Sequence, residues 1–568
     1  MKSEHRMLIA VVLSAGFFLL WYTVLNPQKD VPERAISQPA QEQTTAAAQA
    51  VDDAASEPLS AKTKTGAAIA VYDPQKGLPL KTWTISNDLV EVEFTTDGGV
   101  PNYWRTKNYT KTVDAGSPPI DLVIEGAVVP LTLAFENADF SFPERPRYEL
   151  IEADESRVLF KWRSDDVEVL KEISLKPGSY QADISVSVKN VGGKEALRAS
   201  PTLKWGGLHL PFKGGGLLGF MKQPPIESMT PVYFLDGKAI REAKVLELGR
   251  QNETAGAVYW AGVESRYFIS VIVPRQQGDG LSAGYGATRT SDMPEGQMAV
   301  WGGVSLPKIV IPSGDTENAV FSAYAGPKDL ENLKAVGVNL DKAIDYGWFT
   351  IIAIPILYLL HFFYSIINNY GVAIVLLTIF VKLLLHPINV KSLKSMKAMQ
   401  QLQPRLKEFQ AKYKDDKQKL NAETMQLFKA HKVNPMGGCL PMLAQFPIYI
   451  ALYKVLWNSI ELFHQPFFWF YKDLSAPDPY YITPILLGLF MAAQQKLTPS
   501  ASADPTQQKM MMIMPVMFTV FMLFLPLGLV VYILVNTVMS VTQQYMYNHG
   551  IGIMDLVRGR WKAAHRKA

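Results

Sequence analysis

The chain has a single cysteine, Cys439, in 568 residues, which excludes an internal disulfide and any zinc centre built on cysteine ligands. It has no GxxxxGK[ST] loop, so nothing in it points to nucleotide hydrolysis, and no cofactor or metal is expected. Acidic residues are missing from whole stretches: the runs 370–389, 438–457, 481–495, 510–526 and 528–545 contain no Asp or Glu. What is present is 48% hydrophobic with a formal net charge of +4. A mean hydropathy of +0.04 is too apolar for an ordinary soluble enzyme and too polar for membrane spans alone. The average conceals a polar region up to about residue 340 and an apolar remainder.

Residues 1–6 carry Lys2 and Arg6, and the uncharged run 7–25 is long enough to cross a hydrocarbon core of about 30 Å. Trp21-Tyr22 and Asn26-Pro27 stand where a signal peptidase would need small residues. The run therefore reads as an uncleaved anchor with its basic end in the cytoplasm. Residues 26–66, rich in Ala, Gln, Ser and Pro, read as a flexible tether. Between 67 and 345 the pattern changes to short alternating runs, LVEVEF (89–94), RVLFKWR (157–163), DISVSVKN (183–190) and RYFISVIVP (266–274). Turn signals at Asp97-Gly98-Gly99, Pro177-Gly178 and Gly192-Gly193 separate them. This pattern predicts a large antiparallel β-sandwich on the outer side of the membrane, closed by a helical stretch, KDLENLKAVGVNLDKAIDYG.

Two apolar runs follow, 346–369 and 370–389, parted only at Asn368-Asn369. Charge decides between them. Residues 389–434 carry eleven Lys or Arg against four acids, and such a loop stays in the cytoplasm. The chain arrives from outside, so it crosses an odd number of times. Pro355, His361 and the aromatic faces of 346–369 mark that run as an interfacial amphipathic helix, leaving 370–389 to span. The basic block 390–437 reads as a hairpin of two helices turning near Asp415-Asp416, with Leu402, Leu406, Phe409 and Tyr413 on one face. Spans at 438–457, 481–495, 510–526 and 528–545 are joined by an outer loop (458–480) and a cytoplasmic loop (496–509), and a basic tail (546–568) ends the chain. The fold class is a polytopic α-helical membrane protein of six spans, both ends inside, carrying a large outer antiparallel β-sandwich.

Inside the run that begins at Gly371 stands a cation, Lys382. Counted from Tyr370 it lies about 18 Å along a helix, too deep for the outer surface and roughly 10–12 Å from the inner one. Snorkelling toward the inner headgroups is one explanation. Three features favour another. Thr378, Lys382 and His386 recur every four residues, and other spans carry polar stripes, Tyr532, Asn536, Ser540 and Gln543-Gln544 in one, Gln445, Tyr449 and Tyr453 in another. Polar faces on several spans turn toward one another or toward water. With no acid in these spans, an unpaired buried ammonium costs at least about 2.5–3.5 kcal/mol, so the cavity is wet or its counter-charge arrives from outside.

Four blocks carry a resemblance: KVNPMGGCLPMLAQFPIYIALYKVL (432–456), LSAPDPYYITPILLG (474–488), DPTQQKMMMIMPVMFTVFMLFLPLGLVVYILVN (504–536) and DYGW (345–348). They are similar to the YidC membrane-protein insertases, and the likeness spans essentially the whole chain. It implies five core spans around a hydrophilic groove open to cytoplasm and lipid, a mobile cytoplasmic hairpin, and a β-supersandwich outside. It implies that Lys382, Thr378, Gln445 and Asn536 line the groove, and that Phe446, Pro447, Tyr449, Phe521 and Tyr532 flank the path of a substrate helix into lipid. Bacterial members usually have arginine where Lys382 stands, and two consecutive tyrosines where this chain has Tyr532-Ile533. The partners implied are nascent membrane proteins, the Sec translocon, ribosome–nascent chain complexes and membrane lipids, with no small-molecule substrate and no enzymatic reaction. A solute transporter or channel using the same cavity is the alternative. A third reading gives the function to the sandwich, with the carboxylates Glu91, Glu93, Asp165 and Asp166 most simply explained as solvated strand faces.

Overall fold

The computed structural model describes residues 73–126, 128–193, 195–210, 225–243, 246, 251–289, 293–413, 416–431, 433, 440–468, 470–498 and 505–549. The expected anchor at 7–25, the tether at 26–66, Cys439 and the tail beyond His549 lie outside the described residues.

Alternation makes the strands. In Arg157–Arg163 the side chains of Val158, Phe160 and Trp162 are buried, and the residues between them face outward. The other alternating runs form strands at Val90–Thr95, Gln181–Asn190 and Phe268–Pro274. The turn glycines take the left-handed region that a side chain would oppose, with φ of 87° at Gly98 and 59° at Gly99. All strand pairs are antiparallel. A nine-stranded sheet runs from Lys238–Arg241 at one edge to Glu149–Ala153 at the other, with Phe268–Pro274, Thr316–Pro327 and Gln181–Asn190 at its centre. A six-stranded sheet is built around Leu197–His209 and Met298–Ser305, and a four-stranded sheet opens the domain at Thr82–Ser86. The two larger sheets approach backbone to backbone at one point: a Cβ on Gly302 would lie 2.2 Å from the Gly262 carbonyl oxygen. Trp104, Trp162, Trp205 and Trp260 are fully buried between the layers.

Two ionic features sit in this β domain. Lys171 faces inward on Val167–Leu175 beside Val169 and Ile173, wholly buried. Its Nζ donates to the carbonyls of Gly99 at 2.8 Å and Leu131 at 2.7 Å, and burial holds its pKa down at about 7. Elsewhere burial pushes the Glu264 carboxyl up, but Arg241 and Lys328 outweigh that and hold it below the usual carboxylate range. Arg241 also donates to the Ala343 carbonyl at 2.6 Å, tying the sheet to the segment that leads into the helices.

The helices are α1 (Leu330–Val336), α2 (Thr350–Ile367), α3 (Tyr370–Leu384), α4 (His386–Lys412), α5 (Lys417–Ala430), α6 (Leu440–Asn458), α7 (Ile482–Leu497), α8 (Pro505–Met522) and α9 (Leu527–Asn548). Asn369 caps α3, its side chain accepting from the Val372 amide at 3.0 Å. The run expected as one span over 370–389 is broken. The helix ends at Leu384, and α4 leaves at a bend of 63°. Pro387, in the first turn of α4, has no N–H to continue the ladder, and it disfavours helical backbone at His386. His386 therefore begins α4 rather than extending the Thr378–Lys382 stripe.

Two segments among the described residues are long and apolar enough to cross a membrane, Gly347–Ile367 and Leu527–Asn548; the bent pair α3–α4 makes a third if counted as one span. The first of these is the run that its sequence places in the interface. Within it Ala353, Ile356, Leu357 and Leu360 are buried, while Trp348, Ile351, Phe362 and Ile366 are exposed. The hairpin forms as α4 and α5, whose small core comprises Met399, Leu402, Leu406, Leu427 and Phe428.

The β domain is fastened to the helices at one corner. The Arg266 Nε donates to the Trp457 carbonyl at 2.9 Å, in the last turn of α6, and its guanidinium lies 3.9 Å from the Trp457 ring centroid. Tyr267 packs against Phe463 with ring centroids 5.0 Å apart.

Candidate functional site

Three helices, α3, α6 and α9, bring their polar residues together. Each supplies them at helical spacing on an otherwise apolar surface, so packing the apolar remainder brings the polar faces into contact. Lys382, half-buried near the end of α3, donates from Nζ to the Asn536 Oδ1 at 3.0 Å and the Ser540 Oγ at 2.6 Å, both on α9. Ser540 in turn donates to the Asn536 carbonyl at 2.8 Å. The Asn536 Nδ2 donates to the Tyr449 hydroxyl of α6 at 2.5 Å, and the Gln445 Nε2 donates to the Tyr532 hydroxyl at 2.7 Å. The Tyr449 and Tyr532 rings meet edge to face at 5.7 Å. One turn nearer the bend, the His386 Nδ1 and the Gln543 Nε2 are 2.9 Å apart.

The cluster therefore joins Lys382, Asn536, Tyr449, Gln445 and Tyr532 in one wall. Thr378 is different. It is buried, and its hydroxyl bonds to its own helix at the Ile374 carbonyl, 2.7 Å away, which leaves little for a groove. Tyr532 is fully buried, so it is part of the wall rather than an exposed surface along which a helix slides. Phe446, Pro447 and Phe521 are half-buried on α6 and α8. Ser540 belongs to the polar stripe of α9 but is not singled out by sequence alone; its nearness to Lys382 depends on where the bend ends α3. No group of His, Cys, Asp or Glu among the described residues is arranged to hold a metal ion.

The electrostatics follow from this geometry. An ammonium has three donors. Two meet neutral oxygens, which disperse its charge without cancelling it. No carboxylate bonds to Lys382 among the described residues, so the positive charge remains available to an anionic visitor.

Outside this cluster, Asp478 is a buried carboxylate at the start of α7. It accepts from the Thr483 amide at 2.7 Å, the Thr483 hydroxyl at 2.7 Å, the Tyr480 amide at 2.9 Å and the Tyr471 hydroxyl at 3.1 Å. Nearby, the amides of Leu527 and Gly528 donate to Ala476 and Leu474, so the outer loop satisfies the open N-terminus of α9.

Comparison with known proteins gives consistent matches along the chain. Residues 82–359 match the family described as the YidC periplasmic domain, and residues 362–553 match the 60Kd inner membrane protein family. A membrane protein insertase YidC from Syntrophus aciditrophicus is 37% identical over 566 residues, covering 96% of this chain and 99% of that protein. One from Geobacter metallireducens is 36% identical over 561 residues, covering 97% and 99%. Among solved structures, an active YidC insertase with its first transmembrane domain resolved is 17% identical, with a TM-score of 0.36 over 84% of this chain and 95% of that one. With two family models and full-length relatives in agreement, the chain belongs to the YidC family of membrane protein insertases.

Proposed function

We propose that the chain is a membrane protein insertase of the inner membrane, which receives a client at the polar wall of α3, α6 and α9 and releases its apolar segment sideways into lipid. The observation that carries this is the Lys382 ammonium, held by neutral oxygens and with no carboxylate bonded to it among the described residues. Burying an apolar client segment releases roughly 25 cal/mol per Å². The obstacle is its polar flank, which must cross the hydrocarbon. A wet wall reaching partway into the bilayer shortens the dry path, and Lys382 holds an acidic flank while it passes. The membrane potential adds about 2.3 kcal/mol per charge per 100 mV for an anionic segment moving outward.

The finer topology belongs to the same proposal: six spans with both ends in the cytoplasm, the β domain in the periplasm, and α2 along the outer interface with its exposed apolar face toward lipid. The Lys/Arg excess of residues 389–434 supports it, since it holds α4 and α5 inside. The same basic surface suits ribosome–nascent chain complexes. Work beside the Sec translocon, and chaperoning of clients already in the membrane, are part of this reading. Nothing favours a transporter or channel.

The test is insertion of a single-span client with an acidic translocated flank, in cells depleted of the native protein. Lys382→Arg supports insertion and Lys382→Glu does not. Normal insertion by Lys382→Glu overturns the proposal.

A further inference from the structure

A second site lies where the β domain meets the end of α2 and the start of α3, at the opposite end of α3 from Lys382. It is a cavity of about 340 Å³, lined by Tyr109 of the β domain, Tyr364 of α2, Tyr370 of α3, and Glu461 and Phe463 of the loop after α6. That volume is within the range of small-ligand pockets. Four aromatic rings converge there. Tyr364 and Tyr370 stack with centroids 3.9 Å apart, and Tyr109 and Phe463 are 6.5 Å apart. Glu461 is mostly buried. One oxygen accepts from the Ser459 hydroxyl, and the other lies 3.5 Å from the His361 Nε2. Among the described residues no Lys or Arg lines the cavity.

Its surroundings are electronegative. Burial first, and then Asp329 and Glu461 with Tyr180, push the Tyr109 phenol up. Burial, together with the Glu461 carboxylate, also raises the Asp329 carboxyl. His464, another lining residue, is held below its ordinary pKa by burial, so it adds no positive charge near neutrality.

Aromatic rings around a mostly buried carboxylate, with neither Lys nor Arg among the described lining residues, are the chemistry that receives an ammonium: the ring quadrupoles and the carboxylate attract the cation together. A phosphate or carboxylate would meet Glu461 with only the His361 imidazole, already engaged by that carboxylate, as the basic group beside it. We infer that this cavity binds a primary ammonium, that of an aminophospholipid headgroup in the outer leaflet. The choice of a lipid rests on the outward placement of the β domain proposed above. It also rests on Phe362, Ile366 and Ile367, which are exposed on the same helix as Tyr364 and offer acyl chains an apolar approach. Such a headgroup would pin the α2–α3 corner to the membrane surface from outside.

The experiment uses the full-length protein in nanodiscs of equal parts phosphatidylethanolamine and phosphatidylglycerol, released into mild detergent for native mass spectrometry of retained lipid. The wild type is expected to keep one phosphatidylethanolamine in preference to phosphatidylglycerol by about fivefold. Glu461→Gln, which keeps the volume and the Ser459 contact, and Tyr364→Leu should both lose that preference, while Tyr364→Phe keeps it. Headgroup indifference in the wild type, or an undiminished preference in Glu461→Gln and Tyr364→Leu, overturns the site. Millimolar soluble ethanolamine distinguishes the occupants. Lipid that stays bound supports the headgroup, and displacement of the lipid by the free amine overturns the lipid assignment while keeping ammonium chemistry. Because the readout is bound lipid, it is independent of insertion, so failure here and failure of the insertase proposal are separable.

Discussion

Lys382 on α3 and Ser540 on α9 are joined by a hydrogen bond of 2.6 Å, with the Asn536 Oδ1 as the second acceptor at 3.0 Å. The two helices thus share a cation that neither neutralises. This contact explains how a lysine can stand in an acid-free bundle: its donors are partly satisfied, while its charge is retained.

Removing one acceptor should therefore cost stability before it costs charge. Ser540→Ala leaves an N–H of the ammonium unpaired, a penalty of about 1–3 kcal/mol when the group is partly buried. Unfolding of the purified protein in denaturing detergent, compared with the wild type, measures it. Ser540→Thr, which keeps the hydroxyl, should recover most of the loss.

Asn536 carries more. Its Oδ1 accepts from Lys382 and its Nδ2 donates to Tyr449, so Asn536→Leu removes one bond from α9 to α3 and one from α9 to α6 at once, leaving Ser540 and Tyr532 as the remaining polar links. Insertion of a client with an acidic flank should fall by about tenfold, close to 1.4 kcal/mol in the barrier. A client with a short uncharged flank should be affected much less. Equal loss for both clients would mean that Asn536 acts only through folding.

Arg266 fastens the β domain to α6 through the Trp457 carbonyl and ring. Arg266→Ala should raise hydrogen exchange at residues 457–463 by about an order of magnitude, the scale of one lost charge-assisted hydrogen bond. Exchange in the strand Arg157–Arg163, four strands away from Phe268–Pro274 in the nine-stranded sheet, should be unchanged.

Lys171 makes the β domain sensitive to pH. Its pKa is about 7 when folded, below the ordinary lysine value it recovers on unfolding, so the unfolded chain binds more protons between these values. Stability therefore rises as pH increases from about 7 toward 10, by up to about 1.4 kcal/mol per pH unit. Denaturation followed by tryptophan fluorescence reports it, since Trp104, Trp162, Trp205 and Trp260 are all buried in this domain. Lys171→Met should flatten the dependence.

Much of this architecture is legible in the residues. Arg157–Arg163 alternates without interruption, and the strand has those bounds. The first hairpin helix ends at Lys412 and the second begins at Lys417, capped by Asp416 of the acidic pair that signals the turn. Legibility fails where distant contacts decide. Alternation in VEVLKEISL puts its lysine on the apolar face with Val169 and Ile173, but nothing in the run shows what receives it there, because the two carbonyls belong to Gly99 and Leu131. Periodicity puts Thr378, Lys382 and His386 on one face, but Pro387 ends that helix before the third of them. The hydroxyl of Thr378 looks available until its own backbone claims it. Ser540 matters because α9 crosses α3 at that level, a fact of packing and not of pattern.

A client segment that passes the wall formed by α3, α6 and α9 comes within reach of Phe446 on α6. Photocrosslinking from position 446, beside Gln445, to a ribosome-stalled single-span chain tests it most directly, with position 489 on the exposed face of α7 as the control. A strong adduct from 446 that weakens with Lys382→Glu, and little from 489, is the predicted result. Adducts of equal strength from both positions, or an adduct from 446 indifferent to Lys382, would contradict it.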